Sequence, residues 1–185
     1  QRFAEFAARY LDHFEIIDYA HEDKPDAPSG PARELAFRLG QIKAPHSGVP
    51  LDQDGIRRLV HGFYAAVRDD PLIGPVFERQ IAAERWPVHL DKMCAFWSSV
   101  LLRSGDYDGR PLQPHLALPD LSDAHFQRWL GLFRATARHV LDEGSAMLVI
   151  GFAERIALSF RMALAFHRGE DTSAVRPLAP EPAAA

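Results

Sequence analysis

The chain has 185 residues, 47% of them hydrophobic and 25% charged, with a formal net charge of −4 at pH 7. This composition is typical of one soluble globular domain with or without an appendage, and the negative charge argues against binding of nucleic acid or an anionic membrane by bulk charge. No apolar run reaches the ~20 residues of a membrane-spanning helix. The single cysteine, Cys94, excludes an internal disulfide and a cysteine-rich metal centre, and we expect a reducing, cytoplasmic setting.

The first fifty residues differ in pattern from the rest of the chain. Apolar residues at spacings of three and four predict an amphipathic helix with an aromatic face over residues 2–20. Residues 23–31 contain three prolines and predict a linker, which a short helix near residues 32–41 follows. We expect residues 1–50 to form a helical N-terminal extension.

From residue 52 onward every long segment has helical periodicity, and no alternating strand pattern appears. Pro87 suits the first turn of a helix, Ser122 or Asp123 can cap another, Gly144 interrupts the pattern, and Gly169 fits just past a helix end. These signals predict helices over residues 52–70, 85–102, 122–141 and 145–167, with a short segment over residues 72–80 between the first two. We therefore expect an all-α domain over residues 51–169, followed by a disordered Pro/Ala-rich tail over residues 170–185.

Familiar catalytic motifs are missing from the sequence: there is no His-Glu-x-x-His pair, phosphate-binding loop, GxGxxG or GxSxG. Cys94 lies among apolar neighbours and is best interpreted as a buried, inert thiol. What remains is a set of polar-tipped residues within apolar helical stripes: Tyr64, His89 and Trp129. Each alone is more often ordinary core packing than a functional group.

A fourth such residue, His115, follows a loop and lies between Pro114 and Pro119, where a surface histidine is the simpler interpretation. Together the four residues predict a cavity with one axial imidazole on one side and three hydrogen-bond donors on the other. Imidazole is a common ligand of haem iron, and donors stabilise a bound ligand that carries negative charge. Large apolar walls such as Phe96 and Trp97 would exclude water from the iron.

Residues 51–168 contain five ordered blocks: Phe63-Tyr64 with Val67-Arg68 and Asp70; Gly74-Pro75-Val76-Phe77; Trp86-x-x-His89 with Phe96-Trp97; Tyr107-x-Gly109-x-Pro111-x-x-x-His115; and Phe126-x-x-Trp129-Leu130-x-x-Phe133. With these blocks the segment resembles the truncated haemoglobins, a bacterial globin-like family, and in particular their group III. The absence of any Gly-Gly pair agrees with that group.

The resemblance implies a truncated globin fold, a two-over-two helical sandwich, that binds haem b through His115 as the proximal ligand. It implies that Tyr64, His89 and Trp129 face the bound gas, and that Met93, one turn after His89, lines the pocket. Lys92 falls where the family tends to offer a cation to a haem propionate, although a solvated surface lysine is equally expected. The residues implied to contact the macrocycle or close its cavity are Phe77, Phe96, Trp97 and Phe126.

Several functions are compatible with this interpretation. The first is a haem protein that binds dioxygen, nitric oxide, carbon monoxide or peroxide with high retention, served by an unidentified reductase and acting in redox or detoxification chemistry rather than transport. The second is a peroxidase-like enzyme that uses His89 as the acid–base group. The third is a sensor or interaction module in which residues 1–50 transmit a signal or mediate homodimerisation.

Overall fold

The computed structural model describes residues 48–179 of the chain. The predicted helices over residues 2–20 and 32–41 lie outside this part. Within it the fold is all-α, as predicted, with 3-10 turns at Ala83–Arg85 and Thr172–Ala174. The α-helices are α1 (Gln53–Asp69), α2 (Gly74–Gln80), α3 (Trp86–Leu102), α4 (Gln113–Leu116), α5 (Asp123–Val140) and α6 (Glu143–Arg168). No helix in residues 48–179 has both the length and the apolar character needed to cross a bilayer.

Two pairs of helices form the predicted two-over-two sandwich. Helix α1 packs on α3 and on α5, and α5 packs on α6, so the α1–α5 contact joins the two pairs. At this junction Phe63 and Phe133, which are 1% and 0% exposed, meet edge to face with ring centroids 5.2 Å apart. Buried aromatic pairs of this kind contribute both apolar burial and directional contact. The short helix α4 packs against α6 and leaves a space between the pairs.

The last helix begins earlier than its glycine suggested. The Asp142 carboxylate accepts the Ser145 backbone N–H at 3.0 Å, so that Gly144 lies inside the first turn of α6 rather than interrupting the chain before it. A side-chain cap of this type satisfies an N–H group that the helix itself cannot, which outweighs the poor helix propensity of glycine. At the other end, Gly169 has φ 73° and ends the helix where we predicted.

The residues before α1 are tied to the corner between α5 and α6. The Val49 N–H donates to the Val140 carbonyl and the Val49 carbonyl accepts the Asp142 N–H, both at 3.0 Å. Gly48 lies so close to this corner that a Cβ atom there would be 2.2 Å from the Leu141 carbonyl carbon. Residues 48–50, which we had grouped with the N-terminal extension, therefore pack with the main helical domain.

The segment after α6 is not disordered as far as residue 179, contrary to our expectation. The Arg161 guanidinium donates to the Arg176 carbonyl at 2.5 Å, and the Gln127 amide donates to the Ala179 carbonyl at 2.6 Å. The Leu178 side chain packs against the core. Low apolar content predicted disorder, but backbone carbonyls that accept hydrogen bonds from side chains of α5 and α6 hold this segment without a large apolar face.

A buried carboxylate joins the turn after α1 to α5. The Asp70 side chain, 1% exposed, accepts the backbone N–H groups of Leu72 and Ile73 at 3.0 Å and the Arg128 guanidinium at 2.5 Å. Burial on its own would raise the pKa of Asp70, but these three donors together lower it. The turn and α5 are therefore fixed relative to each other by an ionised group.

We predict that Asp70→Asn lowers the free energy of unfolding at neutral pH by about 1–3 kcal/mol, since buried donors lose their charged acceptor. Because the pKa of Asp70 is lowered in the folded state, its contribution is present above the ordinary aspartate pKa and is lost as the pH falls through the lowered value. Chemical denaturation across this pH range measures the effect. Asp69→Asn, at the exposed neighbour, is the control, and equal effects from the two variants would contradict the assignment.

Candidate functional site

A cavity of about 330 Å³ lies between the two helix pairs, within the size range of small-molecule sites. Residues of all six helices and of the loop before α4 line it. It contains every site residue that the sequence analysis selected: Tyr64, Phe77, His89, Lys92, Met93, Phe96, Trp97, His115, Phe126 and Trp129.

His115 enters the cavity from α4, a helix of four residues with a proline at its start. Its Nδ1 is 2.8 Å from the Pro111 carbonyl oxygen, and because a carbonyl can only accept, Nδ1 carries the proton. The other nitrogen, Nε2, then holds a lone pair. Burial lowers the pKa of His115, although the bond to Pro111 acts in the opposite direction, so the ring is neutral near pH 7. A neutral imidazole oriented by a backbone carbonyl is the form that ligates metals.

Tyr64 of α1 and His89 of α3 lie in contact with each other. Their rings are perpendicular, with centroids 5.0 Å apart. Burial raises the pKa of the Tyr64 hydroxyl well above its usual value, so the hydroxyl stays protonated and can donate a hydrogen bond.

The His89 Nε2 is buried and has no hydrogen-bond partner among the described residues. Burial, and then the charge of Lys92, lower the pKa of His89, so this ring is also neutral near pH 7. Leaving a buried polar atom unpaired costs about 1–3 kcal/mol. Such an atom in the wall of a cavity is free to bond to a ligand.

Trp129 of α5 is held by an aromatic stack. Its ring is nearly parallel to Phe133 at 5.1 Å and meets the edge of Phe63 at 5.3 Å. Trp97 stacks on Phe133 as well, at 5.0 Å, and is 3% exposed. The stack holds the Trp129 ring at the cavity wall, and the indole N–H is the one hydrogen-bond donor of this side chain.

Four further polar residues that the sequence analysis did not select line the cavity: Gln80, Tyr107, Arg110 and His125. The Tyr107 ring contacts the edge of Phe96 at 5.2 Å, and it packs so tightly on Gly109 that a Cβ atom there would lie 2.5 Å from the phenol oxygen. The Tyr-x-Gly spacing was therefore a usable signal. His125 also takes part in the cap of α5, where its Nδ1 accepts the Ser122 backbone N–H at 3.2 Å.

The cavity suits a metal that brings most of its own ligands. Within residues 48–179 no three His, Cys, Asp or Glu side chains cluster so that they could hold a bare ion. One oriented imidazole in a largely apolar cavity instead fits an iron macrocycle, which would supply its own ring nitrogens as further ligands. Cys94 is half-buried and unpaired, and burial raises the pKa of its thiol, in agreement with an unreactive residue.

Comparison with known proteins decides the family. Over 113 residues the chain is 36% identical to the Group 3 truncated hemoglobin of Campylobacter jejuni, and the match covers 60% of this chain and 89% of that protein. This chain belongs to the group III truncated haemoglobins. The crystal structure of the group III truncated hemoglobin from Campylobacter jejuni agrees, with a TM-score of 0.59 over 62% of this chain and 91% of that one. Membership implies a haem cofactor and small gaseous ligands.

A second similarity is shorter. Over 67 residues the chain is 33% identical to the 4-hydroxy-tetrahydrodipicolinate reductase of Lactobacillus helveticus, which is 36% of this chain and only 26% of the enzyme. A quarter of an enzyme's length does not carry its activity to this chain. No protein-family model matches the sequence.

We predict that His89→Leu raises the free energy of unfolding of the haem-free protein by about 1–3 kcal/mol, because an unpaired buried nitrogen is replaced by an apolar group. The gain is larger near pH 5.5 than near pH 7.5: the pKa of His89 is lowered by folding, so the unfolded wild-type chain takes up a proton first as the pH falls. Thermal and urea unfolding measure the effect, and the exposed His61→Leu is the matched control. A loss of stability specific to His89→Leu would contradict this assignment.

Proposed function

We propose that this truncated haemoglobin is a haem b protein that retains dioxygen and related diatomic ligands, for redox or detoxification chemistry rather than oxygen transport. One observation carries the proposal: a single cavity combines an imidazole with a free lone pair, from α4, with three donor side chains, from α1, α3 and α5. Delivery of oxygen needs easy release, which three donors oppose. The small ligands that we propose are dioxygen, nitric oxide, carbon monoxide or peroxide.

His115 is the residue that would hold the iron, through Nε2. When bound, the haem supplies a ferrous iron that binds diatomic gases. The residues that would contact the macrocycle are aromatic, which excludes water and protects the reduced metal. Lys92, at the cavity wall, would pair with a propionate carboxylate. The aromatic residues that would lie against the macrocycle are Phe77, Phe96, Trp97 and Phe126.

Retention follows from the donors. A ligand that carries partial negative charge would accept hydrogen bonds from the Tyr64 hydroxyl, the Trp129 indole N–H and a His89 ring N–H. Aromatic contacts orient these three side chains. A hydrogen bond contributes about 0.5–1.5 kcal/mol net, so two of them slow the escape of the ligand by about 10–100-fold. Turnover on a retained ligand requires electrons, and we propose that a separate reductase supplies them.

The unpaired His89 Nε2 favours a second candidate, a peroxidase-like enzyme. A neutral imidazole with a buried, unpaired Nε2 could accept a proton from peroxide and return it to the leaving oxygen. The sensor or homodimer function assigned to residues 1–50 depends on helices that lie outside the described residues, and it stays a prediction.

Replacing Tyr64 with Phe removes one donor and keeps the ring, so we predict that the dioxygen dissociation rate rises by about tenfold. Stopped-flow replacement of dioxygen by carbon monoxide measures the rate. Tyr19→Phe, the same substitution outside the matched globin residues, is the control. If Tyr64→Phe releases dioxygen at the wild-type rate, the Tyr64 hydroxyl does not bond to the ligand and the proposal loses its main support.

The two candidate functions differ in their response to peroxide. The retention proposal predicts that the haem-loaded protein oxidises a dye with peroxide no faster than the same concentration of free haem. Steady-state absorbance measures both rates. Turnover well above free haem that disappears in His89→Leu and persists in His61→Leu would instead establish the peroxidase-like function.

A further inference from the structure

Trp86 touches two donor residues of the cavity without lining the cavity itself. It is the first residue of α3, lies one turn before His89 and is 5% exposed. Its ring centroid is 5.6 Å from that of His89 and 6.0 Å from that of Tyr64, and both pairs are edge to face. Trp86 therefore packs behind the donors, on the side away from the space that a ligand would occupy.

A third neighbour of Trp86 is a cation. Arg68 follows Tyr64 by one helical turn on α1, and its guanidinium carbon is 4.9 Å from the centroid of the Trp86 ring. Two residues of α1, Tyr64 and Arg68, thus interleave with two residues of α3, Trp86 and His89. We call these four residues the distal clasp.

The contacts of the distal clasp are directional. Aromatic rings prefer edge-to-face arrangements, and a guanidinium over an indole face is attracted by the ring quadrupole. The His89 Nε2 has no hydrogen bond among the described residues, so aromatic contacts are what orient this side of the ring. Removal of Trp86 would leave His89 and Tyr64 with space to rotate away from a ligand.

We propose that Trp86, backed by Arg68, is a positioning residue that holds the Tyr64 hydroxyl and the His89 ring in the orientation in which they bond to a ligand. This inference rests on the proposed function, because it concerns the aim of donors toward a haem ligand. Trp86 would not contact the ligand itself. It would affect the geometry of the hydrogen bonds to the ligand rather than the binding of the haem.

The variants Trp86→Leu and Arg68→Met test the proposal, and Trp86→Phe retains an aromatic edge. Helix α6 offers a matched control: the guanidinium of Arg155 lies 4.5 Å over the Phe152 ring, and neither residue lines the cavity. Phe152→Leu and Arg155→Met remove that pair in the same two ways. For each haem-loaded protein the C–O stretching band of the carbon monoxide complex, the dioxygen dissociation rate and the unfolding temperature are measured.

We expect Trp86→Leu to shift and broaden the C–O stretching band and to raise the dissociation rate by about twofold to tenfold. Arg68→Met should change both in the same direction by less, and Trp86→Phe should restore them toward wild type. The control pair should lower the unfolding temperature without moving the band. Should Trp86→Leu fail to fold, Arg68→Met with its Arg155→Met control decides the question.

Wild-type bands and rates in Trp86→Leu and Arg68→Met, with altered ones in Tyr64→Phe, would overturn the positioning role and leave the proposed function intact. If Tyr64→Phe also behaves as wild type, the proposed function itself fails.

Discussion

The hydrogen bond between the His115 ring and the Pro111 carbonyl, 2.8 Å long, determines what the cavity can bind. It places the proton on Nδ1 and leaves the lone pair on Nε2, and burial keeps the ring neutral. The other tautomer would present an N–H group to the cavity and could not ligate iron. A helix of only four residues achieves this because Pro111 lies one turn before the histidine. The Phe160 ring, with its centroid 4.8 Å from that of His115, also packs against the imidazole.

To bond to a ligand, the cavity must contain polar atoms that have no hydrogen-bond partner within the protein. Such atoms lower the stability of the folded chain. The aromatic pair Phe63 and Phe133 supports two of the donor side chains. Phe133 stacks on Trp129, and Phe63 meets Tyr64 edge to face. The donors are thus oriented by apolar rings, which take no hydrogen-bonding capacity from them. His89 Nε2 is the clearest result, a buried nitrogen that remains available for a ligand.

Much of this arrangement could be predicted from the sequence. Helical periodicity located the main helices, and the occurrence of Tyr64, His89 and Trp129 in apolar stripes, together with the family motifs, selected residues that all line one cavity. Periodicity reports which side of a helix is buried, however, and not which neighbour it meets, so the place of Trp86 behind two donors was beyond it. The ordered segment from residue 170 to residue 179 was missed for a related reason. It is held through backbone carbonyl acceptors, which every residue has, so amino-acid composition does not reveal them.

The most direct test of this account is a titration of the purified chain with haem, comparing wild type, His115→Gly and the exposed His139→Gly by absorption in the Soret region. The account predicts a stoichiometric complex with one axial imidazole in wild type and His139→Gly, a strongly altered band in His115→Gly, and recovery of the wild-type band when free imidazole is added to that variant. An unchanged Soret band in His115→Gly, or a wild-type chain that does not bind haem, would contradict it.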